Sequence, residues 1–391
     1  MSVLTDFIGD RIQLNSVLIV ACFVSVLLMG SQSAASYPTY LLALSLILSV
    51  PQWSDVFQER MSWLLLALLV YLCLTSLWSE PFLWRDAAST ATRTLLVFCF
   101  VVALAECQLR GQVRRWLGRA LALSGVIAVA AALWVYVSDI PADGRLKGLG
   151  QLDTEVIAAL VFGVCMIFAL DLIVGQRSRL AQLMLLASVL MIGVAVYLSD
   201  SRNAWVSVVT GAGVFLVAHR ARTPRAFMAA MAVGGLCLLG ILLLLLLGEG
   251  TRDLLLPRGD SFRPDIWREA WVRIAPHGLW FGLGINTSDN FVIVDLEFLH
   301  PHSMYLSVLY QGGAIALLLF LTLIIVVLRT LLVHFRHPDA KLALGILFVA
   351  LPAYLLDGHE LIDKVGSTWF LFWLPVAVAL GLRWSHPRQD L

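Results

Sequence analysis

The sequence has few charged residues and almost no net positive charge, and each of these shortages excludes a class of protein. Charged residues make up 14% of the 391-residue chain, hydrophobic residues make up 60%, and the mean hydropathy is +0.87. This composition lies outside the range of soluble domains. A net charge of +1 provides no extended positive surface for nucleic acid. The chain is therefore predicted to be an all-α polytopic membrane protein without a nucleic-acid partner.

Cysteine is also sparse, and its placement argues against a disulfide framework or a structural zinc site. The six cysteines lie inside or at the ends of apolar segments and never form a Cys-x-x-Cys pair. The N-terminal segment carries Asp6 and Asp10 and lacks the basic region and small-residue cleavage site of a signal peptide. We predict that it is a retained first helix.

Apolar segments near the length that a membrane-spanning helix requires, about 20 residues, recur along the chain. They predict about 12 transmembrane helices in a single integral membrane domain, residues 1–391. The predicted spans lie approximately at 15–33, 36–51, 61–78, 93–107, 117–138, 154–175, 180–199, 204–219, 226–247, 303–328, 341–356 and 366–383.

The distribution of charge predicts the orientation of these spans. With the N-terminus in the cytoplasm, the inside segments hold most of the basic residues, including the cluster Arg114, Arg115 and Arg119. By the positive-inside rule, both termini are predicted to be cytoplasmic. Acidic residues concentrate on the opposite, outer face: Glu80, Asp86, Asp139, Asp143, Asp200, Asp357, Glu360 and Asp363. The outer face is therefore predicted to carry the function.

The longest outer segment, 248–302, is too long and too aromatic for a passive connection. Within it, residues 264–274 repeat apolar side chains at a spacing of three to four, which predicts an amphipathic helix. Pro264 suits the first turn of that helix, and the Pro-His-Gly sequence at 276–278 ends it. We expect the helix to lie along the membrane surface or to cap a cavity. A helix merely packed on the outer ends of the bundle is the alternative.

Three outer segments carry basic residues that could bind an anion. Arg263 precedes the amphipathic helix, where backbone N–H groups and the helix dipole favour negative charge. Arg202 lies in a very short connection at the membrane surface, where an unpaired charge is costly. Arg145 and Lys147 lie between glycines that allow close approach of a ligand. An ion pair with a neighbouring aspartate, such as Asp200 beside Arg202, or an ordinary flexible turn is the alternative.

Two histidines flank a proline at the start of a predicted span. His300 and His302, even with Glu297 and Asp295, fit no metal-binding motif, and a catalytic zinc ion requires three protein ligands. An imidazole that orients or deprotonates a substrate is favoured, because histidine titrates near neutral pH. A helix-capping or interfacial histidine is the alternative.

Three segments, in order along the chain, resemble one family. The segment "DSRNAWVSVVTG" resembles a Ser-Arg-x-Ala-Trp motif, and "FRPDIWREAWVRIAPHGLWFGLGIN" resembles an Arg-x-x-Ile-Trp loop followed by Pro and Gly-x-Gly. The third, "HPHSMYLSVLYQGGAIALL", resembles a His-Asn-x-Tyr-Leu element with spaced glycines. The chain thus resembles the O-antigen ligase and O-antigen polymerase superfamily of bacterial envelope glycosyltransferases. It departs from the pattern at Ser303, where the family usually has Asn, and at the second glycine of "QGGAIAL".

The resemblance implies a GT-C-type membrane fold and transfer of a glycan from undecaprenyl diphosphate, without metal or other cofactor and with inversion. The reaction would take place on the periplasmic side of the bacterial inner membrane. His302 corresponds to the family's essential histidine, Arg202 and Arg263 to its loop arginines, and Arg145 to a less constant arginine. Residues expected to support these are Lys147, Asp200, His300 and Tyr305.

Within the superfamily, the resemblance favours a ligase that attaches O-antigen to the lipid A-core oligosaccharide. The alternative is the polymerase, which uses the same donor and a glycan acceptor. Polymerases often have two long outer loops, and this chain has one long loop, 248–302. A transporter or lipid flippase is disfavoured, because the predicted spans are nearly free of ionisable residues at their centres.

Overall fold

The computed structural model of the chain describes residues 2–29, 31–48, 53–109, 112–247, 262–288 and 290–385. The described chain is mostly helical. Helices α1 to α10 cover Ser2–Leu28, Gln32–Ile47, Trp53–Gln58, Arg60–Leu74, Trp84–Leu109, Gln112–Ser138, Glu155–Gly175, Arg179–Leu198, Arg202–Arg220 and Pro224–Leu247. Helices α11 to α14 cover Arg263–His277, Met304–Val333, Pro338–Leu356 and Leu374–Ser385. Short 3-10 turns occupy Thr75–Trp78 and Gly150–Leu152, and a π-helical turn, Trp369–Trp373, leads into α14.

Every predicted span overlaps a helix of the structure. The hydropathy and length of the described helices, however, support fewer than twelve membrane crossings. Seven helical segments within the described residues are long and apolar enough to cross a membrane: Arg60–Trp78, Trp84–Gln108, Trp116–Ser138, Glu155–Gly175, Arg179–Leu198, Met304–Val333 and Pro338–Leu356. Three shorter apolar helices cover Ile12–Leu28, Ala34–Ile47 and Trp369–Trp384. The protein is thus a polytopic helical membrane protein, and the count of twelve crossings stays a prediction.

Small residues bring α9 and α13 into close contact. A Cβ atom at Gly211 of α9 would lie 2.7 Å from the Gly345 carbonyl oxygen and 2.3 Å from Val349 of α13. Such close approach of backbones is how membrane helices associate without a hydrophobic driving force. At the outer end of this contact, the Asn203 side chain donates to the Ala353 carbonyl at 3.2 Å. The start of α9 therefore lies beside the end of α13.

Helix α12 is broken at Gly313, and the connection that follows α11 fills the break. Gly313 has a φ of +66°, so the helix ladder is interrupted there. The N–H groups of Leu283 and Gly284 donate to the Tyr310 and Gln311 carbonyls at 2.8 and 3.0 Å. In return, the N–H group of Ala314 donates to the Leu279 carbonyl at 2.8 Å.

This exchange satisfies backbone groups that the apolar core of a membrane would otherwise leave unpaired. It also explains the glycines on both sides of the contact. A Cβ atom at Gly282 would lie 2.4 Å from the Gln311 backbone, and one at Gly313 would lie 2.3 Å from the Trp280 backbone. The Gly-x-Gly and Gln-Gly-Gly segments of the sequence therefore meet each other in space.

The long outer segment folds around α11 and a small hairpin. The predicted amphipathic helix is confirmed as α11, in which Ile266, Ala270 and Ile274 are buried. They pack against Phe291 and Tyr310, so α11 lies on the outer end of α12. Trp271, also within the apolar repeat of residues 264–274, is half exposed. Residues 248–261 of the predicted loop lie outside the described residues.

The hairpin is an exception to the all-α expectation. Strands β1 (Phe291–Ile293) and β2 (Leu296–Phe298) pair antiparallel, with Phe291 opposite Phe298. The two turn residues, Val294 and Asp295, have φ values of +50° and +63°, which a two-residue hairpin turn requires. The sequence did not predict this hairpin, because it lacks the Asn-Gly or Asp-Gly pair that usually marks such turns.

Candidate active site

His302 is held in an unusual backbone conformation where α12 begins. Its φ is +52°, a left-handed conformation that is uncommon for residues other than glycine. Its N–H group donates to Nδ1 of His300 at 3.2 Å. The next residue, Ser303, caps α12 by accepting from the N–H group of Leu306 at 3.5 Å. The preceding carbonyl, of Pro301, accepts from Nε1 of Trp267 at 2.9 Å, which fixes this segment to α11.

Asp357, at the end of α13, faces His302. The Asp357 carbonyl accepts from the N–H group of Met304 at 3.2 Å, which ties the end of α13 to the start of α12. Oδ1 of Asp357 accepts from the Gly358 N–H group at 2.8 Å and lies 3.9 Å from Nδ1 of His302. The latter distance suits an ion pair and exceeds a hydrogen bond. The side chains are 29% and 18% exposed, so both are partly accessible at this end of the helix bundle.

Electrostatics keep the Asp357 carboxyl ionised. Burial alone would raise the pKa of Asp357, but the His302 side chain, the Gly358 N–H group and the positive charge available at His300 outweigh burial. The pKa of Asp357 therefore lies below its ordinary value. A carboxylate facing Nδ1 favours a proton on that nitrogen, which leaves Nε2 of His302 as the basic atom in the neutral ring.

A row of three imidazoles extends from this pair. The ring centroids of His300 and His302 are 4.0 Å apart, and His300 stacks on His359 at 5.0 Å. Nε2 of His359 lies 3.4 Å from Oε1 of Glu360. His300 is therefore more than the supporting neighbour that the sequence suggested, because its ring touches both of the other histidines.

Asp357 and His359 were not assigned to the site from the sequence. In the sequence, Asp357 is one of several acids predicted on the outer face, and no motif marks His359. The segment "DGHELIDK", 357–364, is dense in ionisable residues for this chain. That density was the available signal, but it does not say which helix end the segment faces.

The same side chains are those that could hold a cation. One ligand atom each from His300, His302 and Asp357 lies within 4.8 Å of the others. Three protein ligands with an open position are what a catalytic zinc ion uses. The sequence had considered Glu297 and Asp295 as partners instead. In the structure, Glu297 accepts from the Asn290 side chain at 2.8 Å.

Arg202 begins α9, and the residues of its motif build the turn that carries it. Ser201 caps α9 by accepting from the Ala204 N–H group at 3.3 Å. Nε1 of Trp205 donates to the Val196 carbonyl at 2.8 Å, and the indole stacks on Tyr197. Asp200 has a φ of +47° in the tight connection. The turn places Arg202 with an exposed side chain, next to Asn203, which contacts α13.

Arg145 lies against the same turn but is already bound within the protein. Its Nε donates to the Ser199 carbonyl at 3.1 Å, and its Nη1 pairs with Oε1 of Glu155. Lys147 lies 3.8 Å from the Asp143 carboxylate, at the exposed edge of this loop. The structure therefore brings Arg145 close to the α8–α9 turn and offsets its charge with Glu155.

Arg263 is the first residue of α11, one turn before Trp267, which donates to the Pro301 carbonyl. Residues four apart lie on the same face of a helix, so Arg263 points along the face that contacts the 298–302 segment. Nε of Arg263 is buried and has no hydrogen-bond partner among the described residues. An unsatisfied buried donor is costly unless a ligand or water completes it.

Tyr305, another predicted supporting residue, serves helix packing. Its hydroxyl donates to the Leu351 carbonyl of α13 at 3.3 Å. Ser303, the N-cap residue of α12, also joins the two helices, because its hydroxyl donates to the Tyr354 carbonyl of α13 at 3.3 Å. Serine and asparagine are equally good N-cap residues, which accounts for Ser303 at a position where the resembling family usually has Asn.

Sequence comparison assigns the chain to a known family. A family model described as O-antigen ligase matches residues 186–321, which contain α9, α11 and the start of α12. An O-antigen ligase of Pseudomonas aeruginosa is 31% identical over 328 residues, covering 83% of this chain and 77% of the relative. The chain belongs to the O-antigen ligase family. Its several apolar helices agree with a multi-pass inner-membrane protein of that family. Arg202, Arg263 and His302 all lie within the matched residues.

Proposed function

We propose that this protein transfers O-antigen glycan from undecaprenyl diphosphate to the lipid A-core oligosaccharide at the periplasmic face of the inner membrane. The observation that carries the proposal is the His302–Asp357 pair, held where α12 begins and α13 ends, in a member of the O-antigen ligase family. Arg202 begins α9, whose Asn203 contacts α13 near its end, and Arg263 begins α11, whose Trp267 donates to the carbonyl of Pro301. A base beside fixed cations suits displacement of a diphosphate by a hydroxyl group.

His302 acts as the general base of this reaction. Nε2 accepts the proton of the acceptor hydroxyl while its oxygen attacks the anomeric carbon of the donor sugar. The bond between that carbon and the diphosphate oxygen breaks, and the diphosphate leaves with the electron pair. Attack opposite the leaving group inverts the anomeric configuration. Asp357 orients the His302 ring and stabilises the imidazolium that forms.

Arg202 and Arg263 bind the diphosphate and offset its growing charge. Fixed donors aimed at developing charge contribute strongly to catalysis in a water-poor site. Arginine suits this task because its planar fork binds phosphate through two hydrogen bonds. Nε of Arg263 is buried and has no hydrogen-bond partner in the part of the chain that the structure describes, which supports this role. Arg145 acts through the turn that it braces, because Glu155 already neutralises it.

The reaction requires no metal in this proposal, and that part has its own test. The His300, His302 and Asp357 side chains could hold a cation, so chelation must be measured directly. We expect the transfer rate of the purified protein to be unchanged in EDTA. A loss of rate that added zinc restores would overturn the metal-independent mechanism and leave the family assignment intact.

The proposed topology has twelve crossings in a GT-C-type fold with both termini in the cytoplasm. Segment 248–302 then lies in the periplasm and covers the sugars, with α11 over the start of α12. The lipid tail of the donor lies between helices at the level of the membrane. Cysteine labelling of Asn290→Cys on intact spheroplasts tests this orientation, and only a residue on the outer face should react.

Complementation of ligase-null cells tests the function itself. The wild-type gene should restore O-antigen attached to lipid A-core, visible as ladder bands of lipopolysaccharide. The His302→Ala variant, present at the same protein level, should not restore these bands. Cells that accumulate polymerised glycan without attachment to core would contradict the ligase proposal. Full banding with His302→Ala would contradict the mechanism.

A further inference from the structure

A cavity of about 260 Å³ lies between α5 and the turn that follows α11, next to the row of histidines. Its volume is near the lower end of the range for small-molecule sites. The turn is held rigidly, because the N–H group of Asn286 donates to the Ser79 hydroxyl at 3.0 Å and that of Ile285 donates to Thr75 at 3.0 Å. The glycine exchange with α12 fixes the same turn from the other side.

The groups that line the cavity are mainly hydroxyl, amide and carboxyl groups. Helix α5 contributes Asp86, Ser89 and Thr90, and the turn contributes Asn286 and Ser288. The Thr90 hydroxyl donates to the Asn286 side-chain oxygen at 3.0 Å, which leaves the Asn286 amide hydrogens for another partner. The Ser89 hydroxyl forms no hydrogen bond within the described part of the chain. The cavity therefore offers several oriented donors and acceptors to a ligand.

This chemistry suits sugar hydroxyls better than phosphate. The cation at the edge of the cavity, Arg93, is paired with Glu360 at 3.2 Å and lies 3.8 Å from Asp363. Asp86 adds a further negative charge to the wall. An anion entering the cavity would meet more negative than positive charge. A sugar hydroxyl both donates and accepts, so mixed hydroxyl, amide and carboxyl groups complement it.

The position of the cavity relative to the site indicates which substrate it serves. The chain from Ala353 to Asp363 contacts α9 through Asn203 at one end and α5 through Arg93 at the other. Along this segment, the Asn203 contact next to Arg202 precedes Asp357, and the Arg93 contact at the cavity follows it. Displacement with inversion requires the leaving diphosphate and the attacking hydroxyl on opposite sides of the reacting carbon. The cavity lies on the acceptor side of that arrangement.

A row of three imidazole rings connects the cavity to the proposed base, His302. His359 lines the cavity and stacks on His300, and His300 contacts His302. We infer that this cavity binds a sugar of the acceptor oligosaccharide, through Asn286, Ser89 and their neighbours, and so presents the attacking hydroxyl to His302. The inference rests on the proposed function. It assigns an acceptor subsite to residues outside the histidine and arginine positions.

The test combines direct binding with kinetics on the purified, full-length protein. The probe is core oligosaccharide freed of lipid A, titrated into the protein in detergent, and the variants are Asn286→Ala and Ser89→Ala. The matched controls are Asn290→Ala, at the exposed residue before the hairpin, and Ser138→Ala, whose hydroxyl donates to the Trp134 carbonyl of its own helix. The kinetic readout is KM for lipid A-core and for the undecaprenyl diphosphate donor, measured separately.

We expect each cavity variant to raise the Kd of the oligosaccharide and the KM for acceptor roughly three- to tenfold, the change expected from one or two lost hydrogen bonds. The donor KM and both controls should stay within about twofold of wild type. Unchanged Kd in both cavity variants, no binding by wild type, or a change in donor KM instead of acceptor KM would overturn the inference.

The two proposals fail in different ways. Wild-type protein that binds the oligosaccharide but transfers no glycan would contradict the proposed function and leave the cavity assignment standing. Ser89→Ala keeps the assignment testable where Asn286→Ala folds poorly, because it removes no hydrogen bond among the described residues.

Discussion

A histidine–aspartate pair lies at each end of helix α13, and different contacts hold the two pairs in place. At its N-terminus, His337 and Asp339 are neighbours in sequence, with Nδ1 and Oδ2 3.5 Å apart. His337 caps the helix by accepting from the Asp339 N–H group at 3.3 Å. At the other end, His302 and Asp357 are distant in sequence and are brought within 3.9 Å by the junction of α12 and α13.

The difference teaches that a short distance between imidazole and carboxylate does not by itself make a site. The inner pair is a local cap, and Asp339 is bound by the neutral Gln108 amide. The outer pair has a left-handed His302, a second imidazole at 4.0 Å and arginines that begin two neighbouring helices. The inner pair is therefore a matched control for each change made at the outer pair.

The largest expected effect separates the two histidines. His302→Ala should lower the initial transfer rate of the purified protein roughly 10²- to 10⁴-fold, the usual contribution of a general base. His337→Ala should keep the rate within about threefold of wild type, because it removes only a helix cap. Equal losses in the two variants would remove the distinction between the ends of α13.

The next effect separates the two aspartates. Asp357→Asn should lower the rate roughly ten- to hundredfold, because an interaction with a charged group contributes about 1.5–3 kcal/mol. Asp339→Asn should instead lower thermal stability, since the buried side-chain bond with Gln108 is changed. Thermal unfolding followed beside the transfer rate distinguishes the two outcomes. A rate loss in Asp339→Asn without a stability loss would count against the comparison.

A smaller effect separates the arginines at the outer end. Arg202→Lys and Arg263→Lys should each lower kcat/KM about tenfold, because lysine keeps the charge and loses the bidentate fork. Arg145→Lys should cost less than about threefold, since a lysine there can still pair with Glu155. Full activity of both Arg202→Lys and Arg263→Lys would contradict bidentate binding of the diphosphate.

The smallest effect is a pH dependence of stability at the outer end. Burial and the Glu360 carboxylate raise the pKa of Asp363 to about 6. The folded protein therefore binds this proton more tightly than the unfolded chain, and the resulting stability is lost as pH rises through about 6. Relative to Asp363→Asn, the unfolding temperature of wild type should fall between about pH 4 and pH 6 and level off above that range. A constant difference between the two proteins would contradict the raised pKa.

The sequence predicted the helical segments, because apolar runs are local signals, and short local motifs also suggested several residues of the candidate site. Apolar runs of spanning length located the helices, and the spacing in residues 264–274 located α11. The positions of Arg202, Arg263 and His302 came from short motifs. Asp357 and His359 were missed because their roles depend on the junction of α12 with α13, which no local pattern encodes.

The sequence also gave no indication of which arginines are neutralised by a carboxylate. Arg145 and Arg263 looked alike as outer basic residues near glycine or a helix end. The structure gives Arg145 a carboxylate partner from α7 and leaves Nε of Arg263 buried without one among the described residues. Partner choice depends on tertiary packing, so only the folded chain could separate the two.

The most direct test of the central claim is a double-mutant cycle between His302 and Asp357, read as kcat/KM of purified protein. If Asp357 acts by orienting and stabilising the imidazole, Asp357→Asn should cost roughly tenfold or more in wild type. In the His302→Ala background the same change should cost less than about twofold. The same factor in both backgrounds would show that the two residues act independently and would contradict the account.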